Sequence, residues 1–312
     1  MIIKENIKVN LSLMKLITNF IIFFFLMQIN CFSAFSKTLI KGEKIAGGIL
    51  LCKTFKGAKV YLDGKEIPVS NNGSFVVGFH RDPKSTQIIE IRGDDLYEEK
   101  IVVNIRNRKY AIQRIDGIDP SKVNPPPEVL ERIYREIALV KKARSISKSI
   151  SESYYEEGFI LPAEGPISGE YGSQRILNGE PKRPHYGIDI ALPIGHPIMA
   201  AGSGKVLLVE ENLYFSGGTL IIGHGQGLTT TYLHMSKILV NVGQIVKRGL
   251  IIGEAGDTGR ATGPHLDWRA EWLNRRIDPI FLLKFNRIFI AIDYESTTTV
   301  QGYSISIFPL FR

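Results

Sequence analysis

The chain is poor in cysteine, with only two in 312 residues, Cys31 and Cys52. Cys31 falls in an N-terminal stretch expected to be removed, so the mature chain keeps Cys52 alone and has no internal disulfide. That absence says nothing against an oxidising compartment. Also missing is an apolar run long enough to cross a bilayer, which takes roughly 20 residues. Leu16–Met27 is shorter and follows Lys4, Lys8 and Lys15, the basic-then-apolar order of a secretory signal. Ala34 and Ser36 supply small residues for cleavage after Ser36, with an uncleaved anchor as the alternative. Gln28-Ile29-Asn30 is a poor lipoprotein box before Cys31, so lipidation is not expected. Removing residues 1–36 takes away three Lys and one Glu and lowers the net charge from +8 to +6. That mild basicity suits anionic envelope polymers. No basic–aromatic stripe is present, so nucleic acid is not an expected partner.

What is present divides the chain. Hydrophobic residues make up 44% and charged residues 22%, an ordinary globular balance at a length that can bury two cores. Residues 37–112 show short apolar runs such as Val60-Tyr61-Leu62 and Ile101-Val102-Val103. Asp63-Gly64 and Asn72-Gly73 supply tight turns between them, and a small β-sandwich is expected. His80 stands alone there as a surface turn residue. Residues 113–157 form a linker. Within it Asn124 and the following prolines start a helix carrying Leu130, Ile133, Ile137 and Val140 at helical spacing. Residues 145–153, rich in Ser and Lys, read as its flexible continuation. Residues 158–284 lack helical periodicity. Closely spaced glycines punctuate very short Val/Ile/Leu runs, which predicts a compact sandwich-like barrel. The tail 285–312 has strand-like runs and no assigned role. The fold class is therefore mainly β.

Three stretches carry potential chemistry. Read as a strand, His265-Leu266-Asp267-Trp268-Arg269 sends His265, Asp267 and Arg269 to one face and Leu266 and Trp268 to a core. Pro184-His185-Tyr186-Gly187-Ile188-Asp189 adds a His and an Asp, and Tyr232-Leu233-His234 a third His. Clusters of this kind build zinc sites. On a straight strand, His185 and Asp189 would lie about 13 Å apart, too far to share an ion. The chain must bend between them, and Gly187 is where it can. His196 and His224 read as loop and structural residues. Gly172–Arg175 is a candidate cleft rim. A biotinyl- or lipoyl-type carrier would need a modifiable lysine at a hairpin tip, and none is found.

Together, Pro184–Ile190, Tyr232–Ser236 and Gly259–Leu266 resemble, in residues, order and spacing, the lysostaphin-type (LytM-like) zinc metallo-endopeptidases of bacterial cell walls. The resemblance covers about residues 158–283. It implies a duplicated hybrid-motif fold, with His185 and Asp189 as metal ligands and His234 and His265 as catalytic histidines. The family's third ligand is the second His of an H-x-H pair, and here Asp267 stands in its place. A carboxylate binds zinc at about the same distance as a His nitrogen, so Asp267 can complete the set. Two carboxylates would neutralise the ion and make its water less acidic, and Mn²⁺ becomes an option beside one Zn²⁺ per chain.

The implied reaction is hydrolysis of peptide crosslinks in peptidoglycan, in the periplasm or cell envelope. Stem peptides are the expected partners, together with other cell-wall enzymes. A regulator of the same fold that has lost catalysis, and instead binds wall or activates an amidase, is the alternative. Tyr232 would share a face with His234 on a strand and is a candidate substrate contact, against the plainer reading of a packed aromatic. Arg269 either pairs with Asp267 or contacts an anionic stem peptide.

Overall fold

A computed structural model describes residues 37–93 and 97–285. The expected signal segment and the tail from residue 286 lie outside the described residues. No helix among the described residues is long and apolar enough to cross a membrane.

The N-terminal strands follow the turn signals. β1 (Leu39–Gly42), β2 (Ile49–Lys53) and β5 (Ser74–Gly78) form a three-stranded antiparallel sheet. β3 (Lys59–Leu62), β4 (Lys65–Ile67), β6 (Thr86–Arg92) and β7 (Glu98–Asn104) form a four-stranded one. Asp63 and Gly64 both adopt positive φ at the turn joining β3 to β4, as a tight Asp-Gly hairpin requires. His80 is half-buried and its ring meets that of Tyr186 edge-on, so it lines the cleft wall instead of a free surface turn.

β8 (Ile112–Ile115) leaves this region and pairs in parallel with β10 (Gln174–Leu177). A short helix α1 (Pro120–Val123), capped by Asp119, precedes α2 (Pro127–Ile146). Asn124 closes α1 instead of opening α2, whose N-cap is Pro126. The segment after α2 is anchored where a flexible continuation was expected. Ser147 is fully buried and its hydroxyl donates to the Leu228 carbonyl. Ala143 and Ile150 pack there on Leu207, Leu208 and Ile221.

The C-terminal part is a ten-stranded sheet system. Its centre runs through β14 (Gly204–Leu213), β15 (Gly217–Gly225), β16 (Leu228–Ile238), β19 (His265–Trp272) and β12 (Gly187–Ala191), all antiparallel to their neighbours. β20 (Arg275–Ile277) folds back on β19. β15 is buried at every position, so both its faces are covered.

The sequence suggested two cores, but a single apolar cluster runs from Phe75 and Phe79 through Trp268 and Trp272 to Ile277 and Phe285. Gly78 is pressed so closely that an added Cβ would lie 2.9 Å from Ile277 Cγ2 and 3.2 Å from Trp272 Cβ. Arg108 pairs with buried Asp278 at 2.6 Å, and Arg275 donates to the Gly78 carbonyl at 3.1 Å. The two halves are thus sealed by apolar packing and by buried polar bonds.

Candidate metal centre

β19 and β12 set the site. Their register places Asp189 directly opposite Asp267 and Ala191 opposite His265. Leu266, Trp268 and Ala270 are buried in the core, so the alternate residues face the cleft as the period-two reading requires. His185 precedes β12, tied down by its amide to the Ser173 carbonyl and by its carbonyl to the Gly172 amide.

Gly187 lies between His185 and Asp189, and its φ is not in the left-handed region. It is needed for space: a Cβ there would lie 2.5 Å from Asp267 Oδ1 and 2.6 Å from both Arg269 Cγ and the Trp268 carbonyl. The glycine lets β19 come close enough for the two carboxylates to meet.

His234 reaches the cleft by an irregularity. Between the pairs Gly218–Met235 and Leu220–Tyr232, Leu233 and His234 on β16 oppose Thr219 alone, which is a β-bulge. His234 takes φ 64°, a left-handed conformation that non-glycine residues rarely adopt. The expected common face for Tyr232 and His234 does not survive this kink. Tyr232 lies opposite Trp268 in the core, fully buried, and its hydroxyl accepts from the Ala201 amide at 2.8 Å. Tyr232 is a structural residue, and the substrate-contact reading is corrected.

The ligand-capable atoms converge. One from each of His185, Asp189 and Asp267 lie within 4.8 Å of one another. His185 Nε2 is 3.1 Å from Asp189 Oδ1, and His185 Nδ1 is 3.9 Å from Asp267 Oδ2. Despite these distances, both ring nitrogens of His185 and Asp189 Oδ1 are buried with no aligned hydrogen-bond partner. Leaving such atoms unsatisfied costs about 1–3 kcal/mol each. A divalent cation there would satisfy Asp189 Oδ1 and one ring nitrogen of His185, the other carrying the proton, and a His with two carboxylates is a donor set it accepts. The residues present fit a metal.

Two guanidiniums hold the carboxylates. Arg175 Nη2 lies 2.6 Å from Asp189 Oδ2. Arg269 donates from Nε to Asp267 Oδ1 at 2.9 Å and from Nη2 to Oδ2 at 2.5 Å. Burial by itself raises the Asp267 carboxyl, but Arg269 and then His185 outweigh it and hold the group well below the usual carboxylate range. Burial and Asp267 likewise push Asp189 up, and His185 and Arg175 bring it down. Both stay ionised, as ligands must. Of the two readings of Arg269, the pair with Asp267 is realised.

The catalytic candidates stand beside this set. The His234 and His265 rings have centroids 4.7 Å apart. His234 Nδ1 lies 2.7 Å from the Thr258 carbonyl and His265 Nδ1 lies 2.8 Å from that of Gly263. A carbonyl can only accept, so each Nδ1 carries the proton and each Nε2 is left basic. His265 Nε2 lies 3.9 Å from Asp189 Oδ1. Burial, opposed by Asp267, lowers the His234 pKa to about 4, so its ring is neutral at pH 7.

The sequence profile of Peptidase family M23 matches residues 183–279. The lipoprotein YgeR of Escherichia coli is 40% identical over 204 residues, 61% of this chain and 77% of that protein. The chain belongs to peptidase family M23. The peptidoglycan DD-endopeptidase ShyB of Vibrio cholerae is 50% identical over 149 residues, 48% of this chain. The chain spans 30% of ShyB's own length. A solved M23 peptidase of Pseudomonas aeruginosa superimposes with a TM-score of 0.54 at 29% identity, covering 77% of this chain and 95% of that one.

Within this M23 domain the remaining histidines have the roles expected. His224 is buried, donating from Nδ1 to the Ser203 carbonyl at 2.7 Å and accepting at Nε2 from Thr230 Oγ1 at 2.8 Å. Arg175, read from sequence only as rim, is the clamp on Asp189. The sequence reading missed Thr258 and Gly263, whose contribution is a backbone carbonyl and leaves no signature. It also missed Arg144, Glu271 and Arg276, which meet only after folding.

Proposed function

We propose that the chain is an exported, metal-dependent peptidoglycan endopeptidase that hydrolyses peptide crosslinks in the cell envelope, with one zinc ion per chain, or manganese. The observation that carries this reading is the set of unsatisfied buried atoms on His185 and Asp189, facing Asp267, with two imidazoles 4.7 Å apart beside them.

His185, Asp189 and Asp267 would hold the ion, which when bound polarises the scissile carbonyl and acidifies the attacking water. Arg175 and Arg269 keep the two aspartates charged and fixed in direction. The Nε2 atoms of His234 and His265 divide the remaining work: one takes the proton from water, and the other hydrogen-bonds the oxyanion forming on the carbonyl. The Thr258 and Gly263 carbonyls fix both rings in the tautomer this needs. Arg269 cancels the charge of Asp267, so the pair enters the ligand shell as a neutral group, which offsets the loss of acidity expected from two carboxylates.

The test is digestion of purified crosslinked muropeptides by the full chain loaded with zinc or manganese, followed by chromatography and mass spectrometry. Cleavage lost in His234→Ala with metal retained supports the proposal. Intact crosslinks with stoichiometric metal bound would sink it and leave the regulator reading.

A further inference from the structure

A second concavity of about 550 Å³ lies beside the cleft, between α2 and the β16–β19 face. Arg183, Arg269 and Arg276 border both spaces, so the concavity opens onto the cleft that holds His185 and His234. Its lining is lopsided in charge: Lys141, Arg144, Arg183, Arg269 and Arg276 meet only Glu136 and Glu271. Glu136 is already engaged by Arg132 at 2.7 Å and by the Tyr214 amide at 2.8 Å. Glu271 Oε2 is shared by Arg276 at 2.9 Å and Arg144 at 3.2 Å. Arg269 is spent on Asp267.

The cations are therefore in excess of their partners, in a place where excess is costly. Arg144 Nε is buried without an aligned acceptor, and Arg276 Nη1 has only the shared Glu271 Oε2 at 2.9 Å. Burial, then the nearby Arg276, lowers the Arg144 pKa to about 9. Guanidiniums gathered in a partly dry recess repel one another unless an anion joins them. The opposite wall is apolar, with Ile133, Ile137 and Val140 of α2 facing Leu213, Phe215 and Leu233.

We propose that this concavity is a substrate subsite for a free peptide carboxylate borne on an aliphatic residue, with Arg144, Arg276 and Arg183 taking the carboxylate and the α2 wall taking the methylenes. Arginine forks match carboxylates in two-point geometry, and the apolar wall selects the carrier chain. The proposal rests on the peptidoglycan reading above and deepens it. α2 lies outside the matched residues 183–279 and supplies Arg144 and the apolar wall, whereas Arg183 and Arg276 lie within them, so the connector helix and the catalytic half would share this specificity. The strand face joins the two tasks: Asp267, Arg269 and Glu271 follow one another on β19, from ion to anion site.

The test is calorimetric binding of two crosslinked muropeptides to the full chain, one with free carboxylates and one with them amidated. The binding is measured in the metal-loaded His234→Ala background so that turnover plays no part. We expect the acid to bind at least tenfold tighter than the amide. Arg144→Gln and the surface variant Lys141→Gln should each cost the acid several-fold and leave the amide unchanged. Lys141→Gln guards against a fold effect, since Lys141 is exposed on α2. Equal affinity for acid and amide overturns the carboxylate subsite and leaves the peptidoglycan reading standing. Failure of both peptides to bind overturns both readings.

Discussion

Asp189 and Asp267 face one another across neighbouring antiparallel strands, each with its own arginine, Arg175 and Arg269, behind it. Two carboxylates at such close quarters repel, and each is clamped from outside by its own guanidinium. A cation entering between them meets ligands already ionised and aimed. The following predictions use that arrangement.

Asp267→Ala should lose the metal, read as less than a tenth of the wild-type content by mass spectrometry after dialysis. Asp267→His should retain zinc, because an imidazole at that place restores a neutral nitrogen ligand. Full metal content in Asp267→Ala would remove Asp267 from the ligand set.

Arg269→Gln should move two quantities in opposite directions. The metal-free protein loses the clamp on a buried carboxylate and should be less stable by about 3 kcal/mol. The metal-binding affinity should rise by roughly tenfold, because a competing positive charge has gone. Denaturation and metal titration on the same sample separate this from simple misfolding, which would lower both.

How far the sequence alone could go is clear from neighbouring residues. Alternation along His265–Arg269 was enough to sort the cleft face from the core face, because strand periodicity is a local property. The same logic misplaced Tyr232 relative to His234, because a bulge at a non-glycine residue has no local signal. Gly187 was noticed for the wrong reason: its φ is ordinary, and what it provides is room for Asp267. Arg144 was invisible as a site residue, since its partner Glu271 is 127 positions away in the numbering and nothing short-range links them.

Gly187→Ala is thus expected to act through crowding. The added methyl meets Asp267 Oδ1 and backbone of β19, neither of which can swing aside. Stability should fall by about 2 kcal/mol, and metal affinity should fall with it. A variant as stable as the wild type in urea titration would show that the strands can separate at no cost.

Stability should also depend on His224. Its ring binds a proton near pH 6.5 when unfolded, but only near pH 4 in the fold, because burial disfavours the charged form. Between those values the unfolded chain holds more protons, so stability is highest above about pH 6.5 and falls as pH drops toward 4, by at most roughly 3 kcal/mol. His224→Gln should reduce the slope of the melting-temperature profile in that window by roughly half, His234 supplying the rest. An unchanged profile would assign the acid sensitivity elsewhere.

The continuous cluster from Phe75 to Phe285 bears on how the protein can be handled and how it can evolve. Cutting the gene so that only the half with the candidate metal centre is expressed would strip the cover from Trp272 and Ile277 and present a greasy surface to solvent. Such a fragment should come out as inclusion bodies or sticky dimers. Natural rearrangements that transplant this peptidase onto other proteins would have to carry the first β region along, or repaint that surface with polar side chains.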